Sequence, residues 1–136
     1  MISSEYAAGF MDGEGCINVS STRSTTFIRI LIVNTNLEVL KYFQQKWGGD
    51  ISENKRHKSN WKIAYTWRVS HVACLTFLND VYPFLIVKKK QAEAAFIFFN
   101  NRPGKGNRWT DSRLAEATEA INQIKLLNKK GVEVHQ

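Results

Sequence analysis

Ten residues near the middle of the chain constrain its architecture most. From Trp61 to Ser70 the sequence alternates, with Trp61, Ile63, Tyr65, Trp67 and Val69 on one parity and Lys62, Ala64, Thr66, Arg68 and Ser70 on the other. Period two marks a strand with one face on a core and the other in water. Such a strand belongs to an antiparallel sheet covered on one side. Phe27 to Val33 is another strand, apolar apart from Arg29, and Cys16 to Ser20 precedes it across the turn-like stretch Ser21 to Thr25. Strands joined this closely form a hairpin. Ile51 to Lys55 stands in the same relation to Trp61–Ser70, through the polar, basic connection Lys55-Arg56-His57-Lys58-Ser59-Asn60.

Helical patterns separate the hairpins. Ser3 caps a helix over Glu5 to Asp12, which Gly13 and Gly15 end. Thr35-Asn36-Leu37-Glu38 has capping-box spacing, and Leu37, Leu40, Phe43 and Trp47 follow at helical intervals up to Gly48-Gly49. A third helix runs from His71 to Tyr82, before Pro83. Further helices cover Lys88 to Asn100 and Asp111 to Leu127, separated by the basic loop Arg102 to Thr110 and followed by a polar tail, Asn128 to Gln136. The order predicts an α+β fold, αββαββα with C-terminal helices, whose four-stranded antiparallel sheet carries helices on one face. At 136 residues the whole chain, 1–136, is expected to be a single domain.

Charge narrows the partners. Lys plus Arg number 19 against 12 Asp plus Glu, a net +7, which favours a polyanion, nucleic acid before membrane. No apolar run approaches the ~18 residues of a membrane span, and Met1-Ile2-Ser3-Ser4-Glu5 has neither the basic nor the apolar region of a signal peptide. An intracellular protein is expected. Cys16 and Cys74 form no paired motif and read as buried thiols. The uncovered sheet face is expected to carry Asn18, Ser20, Thr22, Arg29, Ser52, Asn54, Lys62 and Arg68, with Arg23, Arg56, His57 and Lys58 at the hairpin tips. Long polar side chains on a ribbon suit readout of the DNA major groove. An ordinary solvated face fits the same composition, so this reading alone does not decide between them.

Ala7-Ala8-Gly9-Phe10-Met11-Asp12-Gly13-Glu14-Gly15 is unlike the rest. Gly9 and Gly13 lie four apart with Ala8 beside them, so one helix face is nearly free of bulk and can approach another helix closely. If that partner is the same helix of a second copy, a two-fold axis passes between them and the Glu14 residues meet beyond it. Paired carboxylates repel unless cations separate them, and hard divalent ions prefer such oxygen ligands. Alternatively, Gly13 and Gly15 form only a tight helix-to-strand turn with Glu14 exposed.

This segment resembles the LAGLIDADG motif of homing endonucleases. Ala8, Gly9, Asp12 and Gly15 match it letter for letter, Phe10 and Met11 are apolar replacements, Gly13 replaces a small residue, and Glu14 replaces the final Asp by another acid. Pro83-Phe84-Leu85 followed by Lys88-Lys89-Lys90-Gln91-Ala92 resembles the family's second recognisable stretch. Ile124 to Gly131 resembles the C-terminal end of members with one motif, which work as homodimers. Only one copy of the motif is found here.

The resemblance implies a fold and a chemistry. The αββαββα order is the family's core. Glu14, with Gly13, is implied to hold a divalent metal, Mg²⁺ or Mn²⁺, at the scissile phosphates. Asn34 matches the polar residue that orders water around the metal, on the reading that Thr35 and Asn36 cap the next helix. Lys88 matches the basic residue that stabilises phosphate charge, with Lys89 or Lys90 as substitutes. Ala8, Gly9, Asp12 and Gly13 would form the dimer interface. Backbone phosphates would be met by Lys105, Arg108, Lys129 and Lys130. The implied activity is metal-dependent hydrolysis of double-stranded DNA at a long pseudo-palindromic site, in the service of intron homing. An intron maturase, with RNA as partner, or a DNA-binding regulator that has lost cleavage is the alternative. An unrelated structural protein with a chance motif is a third.

Overall fold

The computed structural model describes residues 2–21, 25–54, 62–101 and 110–133, and the side chains among these up to 129. Two compact units divide the chain, Met1–Val87 and Lys88–Gln136.

The first unit is built on a four-stranded antiparallel sheet in the order β1-β2-β4-β3, from β1 (Gly15–Ser21), β2 (Thr26–Asn34), β3 (Asp50–Glu53) and β4 (Tyr65–Ser70). Helices α1 (Ser4–Glu14), α2 (Leu37–Trp47) and α3 (His71–Val81) complete the expected αββαββα order, and a 3-10 turn at Tyr82–Phe84 takes up Pro83. Alternation decides the two faces. Ile17, Ile28, Ile30, Ile32, Trp67 and Val69 are buried on the covered face. There they meet an aromatic cluster in which Phe43 lies 5.2 Å from Trp67 and Trp47 packs edge-on to Phe77 at 4.8 Å. Buried indole nitrogens need acceptors. Trp47 donates to Asp80 and Trp67 to the Gly48 carbonyl, both at 2.8 Å. Gly48 and Gly49 have φ of 81° and 89°, which explains two glycines at the end of α2. A Cβ on Gly49 would also run into the Arg68 carbonyl oxygen.

Several boundaries differ from the sequence reading. Ser3 caps α1 as expected, accepting the Tyr6 N–H at 3.1 Å. The helix, however, runs through Gly13 and ends at Glu14, not at Asp12. Gly15 is the residue that space demands: a Cβ there would meet Met11 Sδ, and the Met11 carbonyl oxygen at 2.9 Å. Asn36, not Thr35, caps α2, accepting the Val39 N–H at 3.1 Å. The second hairpin is shorter than the alternation suggested: β4 begins at Tyr65, and past β3 one bond from Asn54 N–H to the Ala64 carbonyl, 2.8 Å, continues the pairing.

The second unit contains α4 (Lys89–Asn101) and α5 (Asp111–Glu133) packed on each other, with Ala92, Ala95, Phe98, Ala117, Ala120 and Ile124 buried. The segment from Asn128 to Glu133, expected as tail, continues α5.

Candidate nucleic-acid interface and active site

The uncovered face of the sheet is fixed by register. Asn18 pairs with Arg29 and Arg29 with Ser70, while Cys16, Leu31, Arg68 and Asp50 form the next row. Its polar side chains are joined across strands. Arg29 Nε donates to Asn18 Oδ1 at 3.4 Å, Arg68 Nη2 to Ser52 Oγ at 3.0 Å, and Thr66 Oγ1 to Asn54 Oδ1 at 2.8 Å. Asn18, Ser20, Arg29, Ser52, Asn54 and Arg68 therefore lie where the alternation placed them. Lys62 is exposed but precedes β4, so it leaves the sheet proper. Thr22, Arg23, Arg56, Lys58, Lys105 and Arg108 lie outside the described residues, as does the Lys130 side chain; Lys129 is exposed on α5. Asp50 was missed by sequence reading. It shares the parity of Ser52 and is the Cα partner of Arg68.

Glu14 closes α1 and is exposed. Because Gly15 is the register partner of Ile32, Glu14 and Asn34 come to the same end of the β1–β2 ladder. The expectation that Asn34 is left available needs correction. Its Oδ1 accepts the Asn36 N–H at 2.7 Å, as Asn side chains commonly do with backbone two residues on. The amide nitrogen of Asn34 and the second lone pair of its Oδ1 remain for other work. Lys88 precedes α4, where its carbonyl accepts the Ala92 N–H at 3.0 Å.

The bare helix face is real but differently composed. A Cβ on Gly9 or Gly13 would meet nothing within 4 Å among the described residues. Ala8, by contrast, is fully buried, so its expected place in a dimer interface is wrong. Neighbours in sequence stand about 100° apart around a helix, which turns Ala8 inward when Gly9 faces out. Asp12 is half-buried and accepts two backbone N–H groups, from Ile86 at 2.8 Å and Val87 at 3.1 Å. Its carboxylate ties α1 to the segment just ahead of Lys88.

The donors at the end of α1 suit a hard divalent cation. Glu14 offers carboxylate oxygens, and Gly13 lies in the last helical turn, whose carbonyls lack intrahelical partners and carry the negative end of the dipole. Among the described residues no three His, Cys, Asp or Glu side chains gather to hold an ion.

A four-stranded antiparallel sheet with one open face, backed by α1 ending in an acid, is the fold of the LAGLIDADG homing endonucleases. The chain belongs to the LAGLIDADG endonuclease family, whose model matches residues 7–98. Among solved structures it is similar to homing endonuclease I-CvuI in complex with its target in the presence of calcium, with TM-score 0.72, 22% identity, and coverage of 91% of this chain and 80% of that one. I-TnaI, another homing endonuclease, gives TM-score 0.67 and 19% identity over 95% of this chain and 97% of its own. Against the meganuclease I-AabMI bound to uncleaved DNA the TM-score is 0.62 at 18% identity, over 88% of this chain but 44% of that one. No curated protein matches the chain.

Proposed function

We propose that the protein is a site-specific DNA endonuclease that makes a double-strand break in a long pseudo-palindromic target, as a homodimer dependent on Mg²⁺ or Mn²⁺. The observation that carries this reading is the exposed Glu14 carboxylate at the end of a helix whose outer face is open at Gly9 and Gly13, where an added Cβ would meet nothing within 4 Å among the described residues. Two such helices packed about a two-fold axis bring two Glu14 side chains together. Glu14 and the Gly13 carbonyl would hold a divalent ion, which when bound would supply an activated water and stabilise the leaving oxygen. Lys88 places a positive charge against the phosphate. The Asn34 amide nitrogen donates to water. Each sheet lies in the major groove of one half-site, and two-fold protein symmetry requires the partly palindromic target.

The test is cleavage of a duplex library of permuted half-sites, with Mg²⁺ and with Ca²⁺, by wild type and Glu14→Gln. A pseudo-palindromic cut site found only with Mg²⁺, and lost in Glu14→Gln, is the expected result. Sequence-selective binding with no cleavage under any metal would replace this reading with that of a DNA-binding regulator.

A further inference from the structure

Two arginines of the open face come down on one hollow. Register sets Arg29 opposite Ser70 and Leu31 opposite Arg68, so the two arginines are diagonal neighbours on β2 and β4. With Phe27, Asp50 and Ser70 they line a hollow of about 330 Å³. Among the described residues each is braced by a single side chain, Arg29 by Asn18 at 3.4 Å and Arg68 by Ser52 at 3.0 Å, and Arg68 Nε is buried with no acceptor. A guanidinium has five N–H donors in a planar fork, so among the described residues most of the Arg29 fork and the remaining Nη donors of Arg68 have no protein acceptor.

The ligand that fits must offer paired acceptors in one plane. On the major-groove edge, guanine presents O6 and N7 as two acceptors, adenine an acceptor and a donor, cytosine a donor, and thymine an acceptor beside a methyl. Phosphate also has paired oxygens, but the Asp50 carboxylate lines the same hollow and repels it. Diagonal neighbours on a sheet stand roughly 7–8 Å apart, which is about two steps of the ~3.4 Å rise of a DNA strand.

The geometry points to Arg29 and Arg68 as guanine readers, so that each half of the target carries two G·C pairs within about three steps of each other. This rests on the endonuclease reading above and adds the base identity. Selection by binding alone, from a randomised duplex pool with Ca²⁺, tests it for the full chain and for Arg29→Lys and Arg68→Lys. Lysine keeps the charge and loses the fork. Wild type should enrich two guanines per half-site, and each variant should lose about tenfold preference at one of them while keeping the other and the salt dependence. Enrichment of a site without those guanines overturns the inference and leaves the endonuclease reading standing. So does an equal loss of affinity for all sequences, the mark of phosphate contacts. Failure of wild type to enrich any sequence overturns both.

Discussion

The Asp12 carboxylate and the backbone of Ile86 are joined by a 2.8 Å hydrogen bond across 74 residues of chain. Val87 adds a second at 3.1 Å. The first acid of the motif is thus a clamp on main chain, while the second, Glu14, points to water. The two acids, two residues apart, face opposite ways because they sit about 200° apart around the helix.

Asp12→Ala should lower the unfolding free energy by about 1–2 kcal/mol, since bonds to an ionised acceptor are worth more than neutral ones but these are partly exposed. Asp12→Asn, which keeps one acceptor, should fall between. Urea titration followed by tryptophan fluorescence reads both.

The three glycines of the motif should respond in opposite senses. Gly9→Ala meets open space and improves helix propensity, so it should leave the protomer as stable or up to about 1 kcal/mol more so. Gly13→Leu should leave helicity intact while raising the dimer dissociation constant at least tenfold, by sedimentation. Gly15→Ala should destabilise the protomer by about 1–3 kcal/mol, because its Cβ has no room beside Met11.

Burial pushes the Cys74 thiol up to about 12. The thiol stays protonated in the fold while in the unfolded chain it ionises near its ordinary value of 9.0, so the unfolded state binds fewer protons between those values. Stability should be unaffected below about pH 9 and fall from there towards pH 12. At pH 8 a disulfide reagent should label Cys16, which is only half-buried, well before Cys74.

DNA affinity should fall linearly on a plot of log K against log salt. Lys129→Gln should weaken binding to every sequence alike and reduce the slope by about 1, unlike a change at Arg68.

Much of this was legible in the residues. Strand parity placed Arg29, Arg68, Asn18 and Ser52 on one face because period two leaves no freedom once Ile28, Ile30 and Ile32 are buried. Competition among short polar side chains was not legible. Thr35, Asn36 and Asn34 all could cap α2, and only geometry shows Asn36 taking the Val39 N–H while Asn34 takes that of Asn36. The length of α5 was missed because polar residues after Leu127 read as tail, though none but Gly131 disfavours helix. The Asp12 clamp joins residues too far apart in sequence for any local pattern to reveal.

Two glycines in an eleven-residue helix, Gly9 inside it and Gly13 in its last turn, have a thermodynamic consequence. Gly9 gives up about 1 kcal/mol of helix propensity and Gly13, in the last turn, less, and among the described residues nothing lies where their side chains would be. If a second copy supplies contacts there, mass action enters the folding equilibrium. The melting temperature should then climb with protein concentration. At concentrations below the dissociation constant most copies would then stand unpaired, until a duplex with two half-sites side by side brought them together.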